Sequence, residues 1–280
     1  MLFEVIKIIL IIIFLLLVLY LLAIMPKLRR NPVSTKLDGW FYAHRGLHNN
    51  MTDAPENSLK SFAHAVEHGY GIELDVQLTK DLIPVVLHDY NLKRACGKDI
   101  KVADLTYDEL KAYKLFKSQE RIPVLKEVLE LVDGKVPLII ELKIPWGARK
   151  LCEAVAKLLE QYQGLYCIES FNPFGLVWYR RNKPSVVRGQ LSTDFAKEKI
   201  TGTRLQHFLL KHLLLNFLTK PDFIAYQHGY RKDLSFALCR LLYRVKTVAW
   251  TIKSQKDYEN NRRYFKLFIF ESFIPESLEE

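Results

Sequence analysis

The segment GIELDVQLTKDLIPVVLHDY, Gly71 to Tyr90, alternates apolar and polar residues like a β-strand, turns within four residues and alternates again. A connection between parallel strands needs about a dozen or more residues, so the turn at 79–82 must return the chain as an antiparallel hairpin. Successive side chains of a strand point to opposite faces, which puts Glu73 and Asp75 together on one face. The hairpin thus predicts two neighbouring carboxylates with a histidine, His88, returning beside them.

Strand-like and helix-like stretches alternate along the rest of the chain. A strand followed by a helix, repeated eight times, predicts a parallel (β/α)8 TIM barrel, with an open doubly wound sheet as the alternative. Residues 89–135 would form a small insertion after the second strand and then the next helix. The eight predicted strands are 41–45, 71–78, 136–143, 165–171, 186–191, 223–227, 247–252 and 267–271.

An almost unbroken apolar run occupies residues 5–25, about the length of a membrane-crossing helix. A secretory signal peptide is the alternative, but the run has no basic segment before it and no small-residue cleavage site after it. We therefore predict an uncleaved transmembrane anchor at 1–26, a linker at 27–39 and the barrel at 40–280.

Charge and cysteine content bear on location and partners. Lys27, Arg29 and Arg30 follow the apolar run, so the positive-inside rule predicts a single-pass protein of the cell membrane with its barrel facing the cytoplasm. Four scattered cysteines suit a reducing compartment. The net charge of +10 suits either contact with anionic lipid or a merely basic surface. The chain has no nucleic-acid-binding motif, so we expect no nucleic-acid partner, and the oligomeric state stays open.

The carboxylates on the second strand indicate a cation site. Buried carboxylates without neutralisation are costly, and oxygen ligands suit a hard divalent cation, Mg²⁺ or Ca²⁺. A salt-bridged acidic pair is the alternative. Glu141 and Lys143 repeat the pattern at the carboxyl end of the next parallel strand, where barrel enzymes carry their active sites. Glu141 can complete a three-carboxylate site with Glu73 and Asp75, and Lys143 can hold a phosphate oxygen.

Histidines near this cluster add acid–base chemistry. His44 and Arg45 end the first strand at the same rim, and His88 ends the hairpin. Two histidines beside carboxylates, an arginine and a lysine are typical of an acid and a base around a bound phosphate.

These residues, in their order and spacing, resemble the glycerophosphodiester phosphodiesterase family over about residues 40–272. The segments that carry the resemblance are His44-Arg45-Gly46, Pro55-Glu56-Asn57-Ser58, Glu73-Leu74-Asp75-Val76, His88-Asp89, Glu141-Leu142-Lys143, Ser170-Phe171 and Trp250-Thr251.

The resemblance implies a TIM barrel that hydrolyses glycerophosphodiesters to glycerol 3-phosphate and an alcohol. It assigns the cation to Glu73, Asp75 and Glu141, catalysis to His44 and His88, and substrate contacts to Arg45, Lys143, Glu56 and Trp250. A barrel-packing role for Trp250 and a helix-start role for Glu56 are the alternatives. Alternative functions are a phospholipase D-like enzyme acting on membrane (lyso)phospholipids and an inactive barrel that binds lipid or a partner.

One pair of segments departs from the family's sequence pattern, and one helical segment departs from the pattern of an amphipathic outer helix. Trp250-Thr251-Ile252-Lys253 and Phe270-Glu271-Ser272-Phe273 differ from the family's usual Trp-Thr-Val-Asn and Thr-Asp-x-Pro, so the resemblance does not define the head-group preference. The segment Leu205–Leu218 is apolar nearly all round, within a helix predicted at 203–220. We expect a buried helix there, with an element dipping into the bilayer interface as the alternative.

Overall fold

A closed barrel of eight parallel strands forms the body of the computed structural model, which describes residues 1–29, 31–145 and 147–276. Strand β1 pairs with both β2 and β9, and this pairing closes the ring and confirms the TIM-barrel prediction. The described strands are β1 (Phe41–His44), β2 (Gly71–Leu78), β3 (Pro84–Val86), β4 (Leu138–Leu142), β5 (Tyr166–Ser170), β6 (Arg188–Ser192), β7 (Phe223–Gln227), β8 (Lys246–Ile252) and β9 (Leu267–Phe270).

The hairpin predicted from the sequence is present. Strand β3 runs antiparallel to β2, with Val86 opposite Val76, and stays outside the ring of eight. The insertion that follows carries a small core of its own, with Leu87, Leu92 and Leu110 fully buried. The insertion therefore holds β3 and the chain beyond it in place beside the barrel rim.

Helices cover the outside of the barrel because the apolar faces of the strands need burial there. Outward-facing residues of β2, such as Leu74, join the helices in the largest core cluster. The described helices are α1 (Leu2–Ile24), α2 (Leu59–Glu67), α3 (Lys93–Cys96), α4 (Tyr107–Leu110), α5 (Leu125–Val132), α6 (Ala148–Leu159), α7 (Pro173–Asn182), α8 (Arg204–Lys211), α9 (Asn216–Thr219), α10 (Leu234–Leu241) and α11 (Gln255–Asn261).

The predicted linker packs against the amino-terminal end of the barrel. A 3₁₀ helix (Pro32–Leu37) buries Leu37 among the residues that fill the barrel interior. Tyr42 of β1 donates a hydrogen bond to the Leu37 carbonyl at 2.9 Å, and Lys246 of β8 pairs with Asp38 at 2.5 Å. This segment therefore closes the bottom of the barrel, opposite the rim where the strands end.

Helix α1 is long and apolar enough to cross a membrane, with 23 residues and a mean hydropathy of 3.3. Most of it is exposed, but its last turn enters the barrel surface, where Ile24 is fully buried. Asn216 of α9 donates a hydrogen bond to the Ile24 carbonyl at 2.9 Å. The end of α1 is thus part of the folded domain.

The helix predicted at 203–220 is interrupted. Leu213 adopts a left-handed backbone conformation (φ 56°), so the chain forms α8, a turn and the short α9. Leu213 is 2% exposed, whereas Leu205 and Phe208 of α8 are 66% and 54% exposed. The expectation of a buried helix is therefore wrong for α8, whose described residues include no buried one.

Candidate active site

Three carboxylates meet at the carboxyl ends of β2 and β4. The two strands pair in parallel with Asp75 opposite Glu141, and Glu73 precedes Asp75 on the same face. All three side chains are buried, and each offers an oxygen within 4.8 Å of the others. Strand register alone thus brings together the three predicted cation ligands.

The charges of this cluster are only partly balanced. Burial and the neighbouring carboxylates raise the pKa of Glu73 well above its usual value. Burial also raises the pKa of Glu141. Lys143 lies 2.8 Å from Glu141 and 3.1 Å from Asp75. Although burial acts to raise the pKa of Asp75, the positive charges of Lys143 and Arg45 hold that pKa well below its usual value.

A fourth carboxylate, Glu169 on β5, was missed by the sequence reasoning. It lies opposite Glu141 in the β4–β5 register, is 1% exposed, and its Oε2 atom has no hydrogen-bond partner. Burial and Glu141 raise its pKa well above the usual value. The alternation of the 165–171 strand could have revealed it, because Glu169 follows Cys167 on the inward face.

The donor set fits a hard divalent cation. Four buried carboxylates, Glu73, Asp75, Glu141 and Glu169, face two cationic side chains, Arg45 and Lys143. The surplus of carboxyl groups over cationic side chains, with oxygen as the donor atom throughout, fits the ligand preference of Mg²⁺ and Ca²⁺. An ordinary salt-bridged acidic pair would not leave this surplus.

His44 is held at the rim by Glu271, the residue that directly follows the last strand, β9. Its Nδ1 atom lies 2.5 Å from Oε2 of Glu271, and its Nε2 atom lies 3.9 Å from Glu73. Burial lowers the pKa of His44 to about 4, although Glu271 opposes the shift. Lys253 in turn pairs with Glu271 at 2.7 Å. Glu271 and Lys253 belong to the two segments that depart from the family pattern. One of them contacts His44 directly and the other contacts it through Glu271, so these departures bear on the predicted catalytic histidine as well as on the head-group region.

His88 is held by a second chain of contacts. Its Nδ1 atom lies 2.6 Å from Asp89, and Asp89 accepts a hydrogen bond from Arg94 at 2.6 Å. Arg94, which the sequence reasoning did not single out, also donates two hydrogen bonds to Glu56, at 2.7 and 2.8 Å.

Glu56 links this chain of contacts to the cation cluster. Arg45 donates to Glu56 at 2.8 Å and also pairs with Asp75 at 3.2 Å. Although burial opposes the shift, the two arginines lower the pKa of Glu56 to about 2. Glu56 therefore stays ionised and holds the two arginines at the rim.

These residues surround one cavity of about 400 Å³. Of the nine predicted site residues, eight line it, and Asp75 lies behind them, paired with Lys143 and Arg45. Trp250 forms one wall and meets Phe171 edge to face, with ring centroids 5.6 Å apart. The buried indole nitrogen of Trp250 has no hydrogen-bond partner in the described structure.

Fold and site together define a TIM-barrel phosphodiesterase. Residues 44–266 match the sequence model of the glycerophosphoryl diester phosphodiesterase family, and the chain belongs to this family.

The chain is also similar to individual proteins. It is 31% identical to a glycerophosphodiester phosphodiesterase of Caldanaerobacter subterraneus, over 78% of this chain and 87% of that protein. It is 38% identical to a lysophospholipase D of Rattus norvegicus, over 39% of this chain and 38% of that protein. A solved Oleispira antarctica phosphodiesterase, in complex with sn-glycerol-3-phosphate, matches 85% of this chain and 94% of its own, with a TM-score of 0.68 and 24% identity.

Proposed function

We propose that the chain hydrolyses glycerophosphodiesters to glycerol 3-phosphate and an alcohol in this cavity. The observation that carries the proposal is that two histidines and two basic side chains, Arg45 and Lys143, line one cavity together with the carboxylate cluster. The names of the family and of the Caldanaerobacter relative support the same reaction.

A divalent cation, Mg²⁺ or Ca²⁺, would be held by Glu73, Asp75 and Glu141, with Glu169 close by. When bound, the ion neutralises the phosphodiester and lowers the pKa of an attacking oxygen. Lys143 and Arg45 reach into the same cavity and would bind the phosphate oxygens, since both are already fixed by carboxylates.

The two histidines would move the protons. Each has its Nδ1 atom against a carboxylate, Glu271 for His44 and Asp89 for His88, which leaves Nε2 as the nitrogen that can exchange a proton with substrate. One would accept the proton of the nucleophile and the other would protonate the leaving alkoxide. Trp250 would pack against the glycerol moiety, while Glu56 positions Arg45.

The test is a product assay on the purified full-length chain in detergent. A panel of water-soluble glycerophosphodiesters is incubated with Mg²⁺, Ca²⁺ or a chelator, and released glycerol 3-phosphate is measured enzymatically. We expect release with a cation and loss of release with chelator. Full activity in chelator would overturn the cation assignment, and no release from any diester would overturn the reaction.

We also propose that α1 is an uncleaved anchor in the cell membrane, with the barrel on the cytoplasmic side. Burial of Ile24 in the domain supports retention, because cleavage after the apolar run would remove a buried part of the fold. Lys27 and Arg29 support the orientation. Arg30, the third positive charge, lies outside the described residues.

A second candidate reaction is phospholipase D-like cleavage of membrane (lyso)phospholipids. A row of aromatic contacts favours it: Trp250 and Phe171 line the cavity, Phe195 lies 5.7 Å from Phe171, and His207 of α8 stacks on Phe195 at 5.7 Å. This row leads from the cavity towards the exposed apolar side chains of α8. Comparing turnover of a lysophospholipid with that of the matching deacylated diester decides between the two substrates.

A further inference from the structure

Exposed apolar side chains are concentrated on one side of the barrel. The exposed positions of α5 and α6 all carry charged side chains, namely Lys126, Glu130, Arg149, Lys150, Glu153 and Lys157. The exposed positions of α9 and α10, in contrast, all carry Leu or Phe, namely Phe217, Leu218, Leu234 and Leu241. Leu205 and Phe208 of α8 extend the same surface. An outer barrel helix surrounded by water would carry polar residues at these positions.

The last turns of α1 join the barrel on this same side. Tyr243 donates to the Leu21 carbonyl at 2.8 Å, and Tyr20 shares a hydrogen bond of 2.8 Å with Ser235 of α10. Together with the bond from Asn216 of α9 to Ile24, these contacts fix the exit of α1 between α9 and α10. The membrane-crossing helix therefore leaves the barrel from the middle of the apolar surface.

Basic side chains accompany the apolar ones. Arg180 donates to the carbonyls of Phe217 and Leu218, at 3.2 and 2.6 Å, and Lys220 donates to the Met25 carbonyl at 3.2 Å. Arg204 lies exposed at the start of α8. Apolar side chains bordered by arginine and lysine are the composition of elements that lie in the headgroup region of a bilayer.

We propose that α8, α9 and α10 form a membrane-docking face, which inserts its exposed Leu and Phe side chains into the leaflet from which α1 emerges. The inference goes beyond the proposed reaction and rests on the proposed anchor. The bilayer is the occupant because α1 brings it to this face. The barrel then lies against the membrane at a fixed angle, since the last turn of α1 is itself packed into the domain.

The test uses the full-length chain in vesicles of phosphatidylcholine and phosphatidylglycerol. Single cysteines on the docking face (Phe208→Cys, Leu241→Cys), on α1 (Leu22→Cys) and on the far side (Glu130→Cys) receive a nitrobenzoxadiazole label. Quenching by lipids that carry a nitroxide near the headgroup is then measured for each. The half-buried Cys96 is changed to Ser, because the other native cysteines are buried.

We expect the labels at 208 and 241 to be quenched at least twofold more than the label at 130, approaching the label at 22. Turnover of a soluble diester within twofold of the parent shows that each variant is folded. Equal quenching at 208, 241 and 130, with the label at 22 quenched, would overturn the docking face and leave the anchor standing. An unquenched label at 22 would overturn both. Labels at 208 and 241 that are shielded from water but not quenched by lipid would indicate a second copy of the chain, and would also overturn the proposal.

Discussion

Replacement of Glu271 by Gln tests whether Glu271 orients His44 for catalysis. Glu271 is mostly buried and holds His44 Nδ1 at 2.5 Å, so the carboxylate fixes the ring and its tautomer. A hydrogen bond to a charged group contributes about 1.5–3 kcal/mol. If this hydrogen bond stabilises the transition state more than the bound substrate, E271Q should lower kcat about 10- to 100-fold with little change in KM.

The pH profile gives a second readout for E271Q. Burial lowers the pKa of His44 to about 4, and Glu271 opposes this by favouring the imidazolium. Loss of the carboxylate must lower the pKa further, so an activity limb that belongs to neutral His44 should move to lower pH. Steady-state kinetics on a soluble diester, measured across pH in saturating cation, checks both effects.

Lys253→Gln is the matched control. Lys253 contacts the same carboxylate at 2.7 Å, but it is 63% exposed, and exposed ion pairs contribute about 1 kcal/mol or less. K253Q should therefore change kcat by less than about fivefold. If E271Q kept full turnover and the parent pH profile, or if K253Q were as damaging as E271Q, the positioning role of Glu271 would be refuted.

Four further predictions concern the cation, the fold and the topology. Glu73→Gln should raise the half-maximal cation concentration at least about 10-fold, and should remove the rise in melting temperature on adding cation to the parent. Because the raised pKa values of Glu73 and Glu141 make protons compete with the cation, that half-maximal concentration should increase as the pH falls, and a flat dependence would count against the site. Leu213→Ala should destabilise the barrel by about 2–5 kcal/mol in a thermal melt, whereas exposed Phe208→Ala should leave the melting temperature unchanged. A protease added to intact cells should leave the barrel uncut, and digestion of the domain would reverse the proposed orientation.

Local patterns in the chain predicted a barrel of alternating strands and helices but left an open doubly wound sheet as the alternative, and the family resemblance favoured the barrel. Alternation of period two marks each strand, connection length separates the one hairpin from the parallel crossovers, and buried acids on an inward face identify the site. The same patterns predicted Glu73, Asp75 and Glu141, which β2 and β4 bring together by their register. These features depend on neighbours along the chain or on the next strand, so their signal is present in the sequence.

Contacts between distant segments could not be read in this way. Glu271 reaches His44 across 227 positions, and Arg94 reaches Glu56 from within the insertion. Asn216 donates to the carbonyl of the buried Ile24 from 192 positions away.

The sequence by itself predicted the eight barrel strands, the apolar first helix, and the carboxylates and histidines that the structure places around one rim. Only the tertiary structure decided that Glu271 contacts His44 and that α8 exposes Leu205 and Phe208 to its surroundings. The physical reason is that burial and charge are properties of the assembled surroundings. An apolar helix reads the same in sequence whether protein or lipid covers it, and a carboxylate reads the same whether it faces water, a lysine or a histidine.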